Sequence, residues 1–293
     1  MNVIRALQDV RLRGTDQQVG DELLAQGAAM RYAGTRNPDT GAQQPPVTVR
    51  GAMAILNYAL QNRSGGAASV GLGFRLRNDQ WKAGQWDDSE GAASFVNDTV
   101  DAQDTGASDF AMEVVASNND GFVIACVHKF DWVSINVGTA GVDGDGSLDR
   151  VVQYSNAAGT GWTVAPTNIY TDEFTVTAGT DVYSTGENLF VWMPPQDWGK
   201  VTIADATMGG GTLGYYALQI RSTDAPSGGG QVAALASTIE IGTLPVLVEN
   251  VADNAVVSEE TCFLWEPFGD AIVAYFSTAN GGNSVKAEWR HAG

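Results

Sequence analysis

Between Phe190 and Thr223 the chain alternates strand-forming runs with residues that cannot continue them, and that alternation points to a sheet architecture. Phe190-Val191-Trp192 is apolar and aromatic, and Pro194-Pro195 ends the run because proline has no N–H to give a sheet ladder. Gln196-Asp197-Trp198 turns the chain, with an Asp of the kind that bonds its own backbone in turns. Lys200-Val201-Thr202-Ile203 restarts a strand, Gly209-Gly210-Gly211 loops back, and Tyr215-Tyr216-Ala217-Leu218-Gln219-Ile220-Arg221 is a third run. Aromatic and β-branched residues favour a pleated, half-buried surface. The rest of the chain is expected to pack around these three strands.

Composition agrees with that expectation. A length of 293 residues permits one large or two ordinary domains with a sizeable core. Charged residues at 17% fall below the usual quarter, and 35 glycines exceed the average, so turns are many and surface helices few. The net charge of −18 is unevenly placed. Residues 1–77 hold nine Arg against five Asp/Glu (+4), while residues 78–293 hold seven Lys/Arg against 29 Asp/Glu (−22). The acidic part would repel phosphates, which excludes nucleic acid as the expected partner; solubility is its plain reading. Cys126 and Cys262 both lie in apolar runs and read as small buried hydrophobes rather than a disulfide or metal pair. No apolar region follows Met1-Asn2-Val3-Ile4-Arg5, and no stretch reaches the length of a membrane span. The expectation is a soluble protein made in a cytoplasm, with no membrane partner.

Taken in order, Thr15-Asp16-Gln17-Gln18 has the form of a capping box, which predicts a helix through about Tyr32 with Val19, Leu23 and Leu24 on one face. Met53, Leu56 and Leu60 recur at helical spacing and predict a second helix between Thr48 and Arg63. Both helices are expected before residue 65. Val70 to Arg77 alternates, with Arg75 and Arg77 on a basic face. Phe110–Val115 and Gly121–Val127 flank Asn118-Asn119-Asp120-Gly121, a hairpin signal. Val151–Tyr154 and Trp162–Val164 form the next hairpin, and Phe174–Thr177 a strand beyond it. Late strands follow at Pro245–Val251, Cys262–Trp265, Ala271–Ser277 and Val285–Trp289. They either form a second small sheet with Val70–Arg77 or pair with a neighbouring subunit. The predicted fold is therefore mainly β: an antiparallel, jelly-roll-like β-sandwich over residues 67–245. A short, partly helical extension (residues 1–66) precedes it and a small extra sheet (residues 246–293) follows.

The chemistry-bearing residues are few. Asp98, Asp101, Asp104 and Asp109 are interleaved with Thr, Ser, Gly and Ala and read as turn chemistry. Asp143, Asp145 and Asp149, with Ser147, supply hard oxygen ligands at alternate positions as a Ca²⁺ loop does. The EF-hand pattern fails, because its first ligand would be Gly141 and its terminal acid Val152, so a hairpin turn is the better reading and no metal is expected. His128 and His291 have no placed partner. No nucleophile elbow, zinc-protease helix or phosphate loop is present. Neither catalysis nor a cofactor is expected.

Four stretches, two of them within Phe190–Thr223, carry a resemblance: Lys129-Phe130-Asp131-Trp132-Val133 through Gly138-Thr139-Ala140-Gly141, Tyr154-Ser155-Asn156 with Trp162-Thr163, Pro195-Gln196-Asp197-Trp198, and Tyr215-Tyr216 through Arg221. In order and spacing, over roughly residues 95–245, they resemble a β-sandwich domain of virion proteins from tailed bacteriophages and related viruses. Tyr216 stands where that pattern has Trp, and Gln219 where it has Arg. The resemblance implies a structural virion protein assembled in the host cytoplasm, such as a decoration protein on a capsid surface. The alternative is a tail-fibre or head-fibre module holding a host glycan, with Trp81, Trp86, Trp162 and Trp198 as stacking candidates. The expected partners are the chain itself, as a homotrimer, and the major capsid protein or another virion protein. The basic segment supplies the contacts to an acidic shell: Arg5, Arg11, Arg13, Arg31, Arg36, Arg50, Arg75 and Arg77, with Val3, Ile4, Leu7 and Leu12 as apolar anchors. A cap on the chain's own sandwich is the competing reading of that segment.

Overall fold

The structure, a computed structural model, describes residues 17–20, 29–32, 52–87, 94–104, 110–112, 121–139, 150–165, 185–202, 214–222, 234–277 and 283–292. Its strands, in chain order, begin with β1 (Gln17–Gly20), β2 (Ala29–Tyr32), β3 (Ala52–Gln61), β4 (Ala68–Leu76), β5 (Trp81–Asp87), β6 (Ser94–Asn97) and β7 (Phe110–Met112). Next come β8 (Gly121–Cys126), β9 (Trp132–Thr139), β10 (Arg150–Ser155), β11 (Trp162–Val164), β12 (Gly186–Val191), β13 (Lys200–Thr202) and β14 (Gly214–Ser222). The last are β15 (Ala234–Val251), β16 (Val256–Glu259), β17 (Leu264–Glu266), β18 (Gly269–Phe276) and β19 (Ser284–Ala292). The protein is mainly antiparallel β, as expected. The chain divides into two units, residues 1–77 with 242–293, and residues 78–241. The boundaries expected at 66/67 and 245/246 move accordingly, because the first and last parts of the chain share one core.

In the unit formed by residues 1–77 and 242–293, one sheet has the order β1-β19-β3-β16, with β17 also on β3. A second set of strands pairs β15 with β4, β4 with β18 and β18 with β2. Of the two alternatives for the late strands, pairing with residues 70–77 is therefore the one realised for β18. Ile55, Tyr58 and Leu60 of β3 and Val285 and Ala287 of β19 pack against Val70, Leu72 and Phe74 of β4 and Ile272, Ala274 and Phe276 of β18. Gly71 and Gly73 alternate with those apolar residues because a Cβ at Gly73 would lie 1.8 Å from the Thr243 carbonyl oxygen. There β15 bulges between Thr243 and Val246, which accommodates Pro245 within a long strand.

Where they are described, the two predicted helices are strands; residues 15–16, 21–28 and 48–51 lie outside the described residues. Residues 15–32 contribute β1 and β2, and Thr48 to Arg63 contains β3. β3 carries a bulge, with Asn57 opposite Glu288 and Ile55 opposite Trp289. The helical spacing runs through Leu56, which is the half-buried extra residue of that bulge, whereas the strand buries Ile55, Tyr58 and Leu60. Among the described residues the helical segments are a 3-10 turn at Asn78–Gln80 and a short helix at Thr99–Gln103, both after residue 65. The latter occupies part of the Asp98–Asp109 run that was read as turns.

In the unit of residues 78–241, one sheet has the order β11-β10-β14-β8-β5-β6, with β13 also on β14. The β10–β11 hairpin forms as expected, with Tyr154 opposite Thr163. The hairpin predicted around Asn118–Gly121 does not: β8 pairs with β14 and β5, and β7 pairs with β15. All six residues of β8 are buried, so it is a central strand with both edges taken. Phe110 meets β8 through its side chain instead, edge to face on Phe122 at 5.9 Å. Opposite this sheet, β9 pairs with β12, and Asn136 is linked to Ser237 of β15 by hydrogen bonds in both directions.

Candidate functional site

The four stretches that carry the resemblance converge. Trp198 lies 4.5 Å from Trp192, 5.0 Å from Phe130 and 5.4 Å from Tyr216 between ring centroids. Its indole N–H donates to Ser155 Oγ (3.1 Å) and to the Ala217 carbonyl (3.2 Å). Ser155 Oγ in turn donates to the Gly199 carbonyl at 2.6 Å and accepts from the Ala217 N–H at 3.1 Å. Tyr154 donates to Asp197 at 3.2 Å; burial, then Asp197, raises its phenol pKa. Lys129 Nζ donates to the Pro195 carbonyl at 2.8 Å, and Lys129 and Lys200 both stand over the Tyr216 ring. The turn from Pro195 to Trp198 thus ties the Lys129-Phe130 approach to β9 to β10 and β14 by satisfied polar contacts inside an aromatic cluster. Trp198 is 3% exposed. This motif has the chemistry of a structural clamp, and Trp81 and Trp198 are too buried to stack a sugar.

Trp86 and Trp162 are different. Both are only half-buried and they touch edge to face at 5.5 Å. On their face of the sheet lie Phe95, Val123, Ala125, Tyr215 and Ala217. Two buried polar atoms of the same sheet, Gln153 Oε1 and Arg221 Nε, have no hydrogen-bond partner among the described residues.

Of the candidate arginines, Arg31, Arg75 and Arg77 are among the described residues. Arg75 Nε donates to Asp270 Oδ1 at 2.7 Å within its own unit, so it is occupied internally. The Asp270 pKa is nevertheless raised, because burial outweighs the opposing effect of Arg75. Arg77 stands 5.9 Å from the Phe268 ring centroid. Arg31 lies in β2 opposite Ala274. Arg5, Arg11, Arg13, Arg36, Arg50, Val3, Ile4, Leu7 and Leu12 lie outside the described residues, as do Asp109, the Asp143, Asp145, Ser147 and Asp149 loop and the Phe174–Thr177 run. Asp98 has a raised pKa, first from burial and then from Asp101. Among the described residues no group of three or more His, Cys, Asp or Glu could hold a metal ion, and no helix is long and apolar enough to cross a membrane. Cys126 and Cys262 form no disulfide; Cys126 is buried and Cys262 half-buried.

Sequence reading missed one surface. Phe263 and Trp265 are 41% and 56% exposed beside the exposed acids Glu259 and Glu260. Apolar residue type alone had marked Cys262–Trp265 as an ordinary strand; two aromatics within five residues of a Glu-Glu pair were the available signal.

No family model, no curated protein and no solved structure matches the chain.

Proposed function

We propose that the protein is a non-enzymatic structural component of a virion, of the kind that decorates a capsid surface. One observation supports this above others: four motifs spread from Lys129 to Tyr216 close on a single clamp around Trp198. A sandwich fixed in this way is a rigid body whose contacts come from sheet edges and appended segments rather than from a cleft. The basic residues of 1–77 are then the attachment side, with Arg5, Arg36 and Arg77 among the groups facing an acidic shell, while the acidic remainder keeps the particle surface soluble. Arg75 is set aside from that role because Asp270 holds it.

A glycan-binding fibre module is the second reading, favoured by the half-buried Trp86 and Trp162 beside Gln153 and Arg221. Antibody-gold electron microscopy of purified particles tests the first reading. Label spread over the head supports it, label at the tail tip favours the second, and unlabelled particles overturn both.

A further inference from the structure

The sheet β11-β10-β14-β8-β5-β6 holds, on the side of its tryptophan pair, polar atoms that its own strands leave unused. Gln153 stands opposite Gln219, Gln219 opposite Val123, and Val123 opposite Gly84. Residues directly opposite one another share a face, and Val123 belongs to the cluster on which Trp86 and Trp162 pack. Gln153 therefore lies on the tryptophans' side of the sheet. Arg221 lies there too, two residues beyond Gln219 on β14. Gly121 is opposite Trp86, and a Cβ on it would lie 2.8 Å from Arg221 Cβ. Trp86 and Arg221 thus flank a position with no side chain. Gln153 is 5% exposed, yet its Oε1 has no hydrogen-bond partner among the described residues. The same holds for two buried donors, Arg221 Nε and Trp86 Nε1. Folded proteins pair nearly all such atoms, so one acceptor and two donors left over on one face point to a ligand that completes them.

We propose that this face binds a neutral sugar ring of a glycan. A hydroxyl both donates and accepts, so neighbouring hydroxyls of one ring can give a hydrogen to Gln153 Oε1 and accept from Arg221 Nε and Trp86 Nε1. The two tryptophan rings meet at 86° and form a corner. The C–H face of a pyranose packs on one wall of that corner, where each tryptophan is still partly exposed. Charge selects the class of sugar. Residues 78–241 hold five Lys or Arg against 22 Asp or Glu, a field that repels a carboxylate-bearing sugar and leaves a neutral one unaffected. This inference rests on the glycan reading given above as the alternative function. It adds the class of sugar and the atoms that select it.

Binding of the full chain to two sets of arrayed glycans tests this, one ending in glucose, galactose or mannose, the other in glucuronate or sialate. The neutral set should bind, and titrating the best neutral trisaccharide should change the tryptophan fluorescence. W162A should weaken that binding at least tenfold. Q153M keeps the length of the side chain and removes the acceptor oxygen, and it should weaken binding at least tenfold as well. Its melting temperature should be unchanged or higher, because a buried oxygen without a partner has been removed. A lower melting temperature would reveal an internal partner for that oxygen and overturn the proposal. Preference for the acidic set overturns the neutral class while the glycan reading stands. Neutral binding that survives both substitutions overturns this site, again with the glycan reading standing. Binding to neither set overturns both.

Discussion

Trp86 and Trp162 touch edge to face at 5.5 Å although β8, β14 and β10 lie between their strands in the sheet. On a flat sheet four strand spacings would separate those strands by about 19 Å. The sheet is therefore strongly coiled, with both tryptophans on its concave face. Small residues at the middle of that face, Gly84, Ala125 and Ala217, leave room for the curl. Ala125→Leu overfills the concavity and should cost about 1–3 kcal/mol. Urea unfolding measures the loss, and near-ultraviolet circular dichroism should show the tryptophan pair disturbed.

Gly84 tests the same geometry from the backbone side. A Cβ there would lie 2.0 Å from the Val96 carbonyl oxygen and 2.7 Å from the Phe95 ring. Gly84→Ala should destabilise by about 1–3 kcal/mol. Gly66→Ala, where a Cβ meets nothing within 4 Å, should stay within about 0.5 kcal/mol. Equal melting temperatures for the two variants would contradict the placement of β6.

The clamp makes its own prediction. Trp198→Phe keeps an aromatic ring but removes the donor to Ser155 and Ala217. It should cost about 1–3 kcal/mol, the range for a buried group left unsatisfied. Trp198→Ala should cost about 3–5 kcal/mol, because a cavity opens as well. A loss below 1 kcal/mol for the alanine variant would show that the four motifs do not depend on one another.

Much of this was legible in the sequence, and the failures have physical causes. The Tyr154–Trp162 hairpin and the buried Phe190-Val191-Trp192 run follow from alternation and turn residues close in sequence. The helix predicted over Thr48–Arg63 failed because its spacing runs through Leu56, the half-buried extra residue of a bulge, whereas β3 buries Ile55, Tyr58 and Leu60. The Asn118–Gly121 turn suggested a local partner for β8, yet its partners β5 and β14 lie far along the chain. Arg75 looked like a surface cation because no pattern announces Asp270, 195 residues away. Trp265 was missed for the converse reason: the covered face of a strand is decided by what packs on it.

Acidity should tune stability in a defined direction. The pKa values of Asp98 and Asp270 are raised on folding, burial being the first cause in each. The native state therefore binds protons more readily than the unfolded chain, and the stability from these groups grows as pH falls through their folded values towards the ordinary carboxylate range. Lower pH also relieves repulsion within a chain of net charge −18. Melting temperature should rise as pH falls from neutrality towards the ordinary carboxylate range. Asp270→Asn should flatten that rise, and an unchanged slope would contradict the assignment of Asp270.

The structural role itself comes down to a count. Purified particles, dissolved and resolved by quantitative gel electrophoresis against the major capsid band, give the copies of this chain per particle. A decorating protein should be present in hundreds of copies, in fixed ratio to the capsid protein and in multiples of three. A handful of copies, or none, would contradict the decoration role.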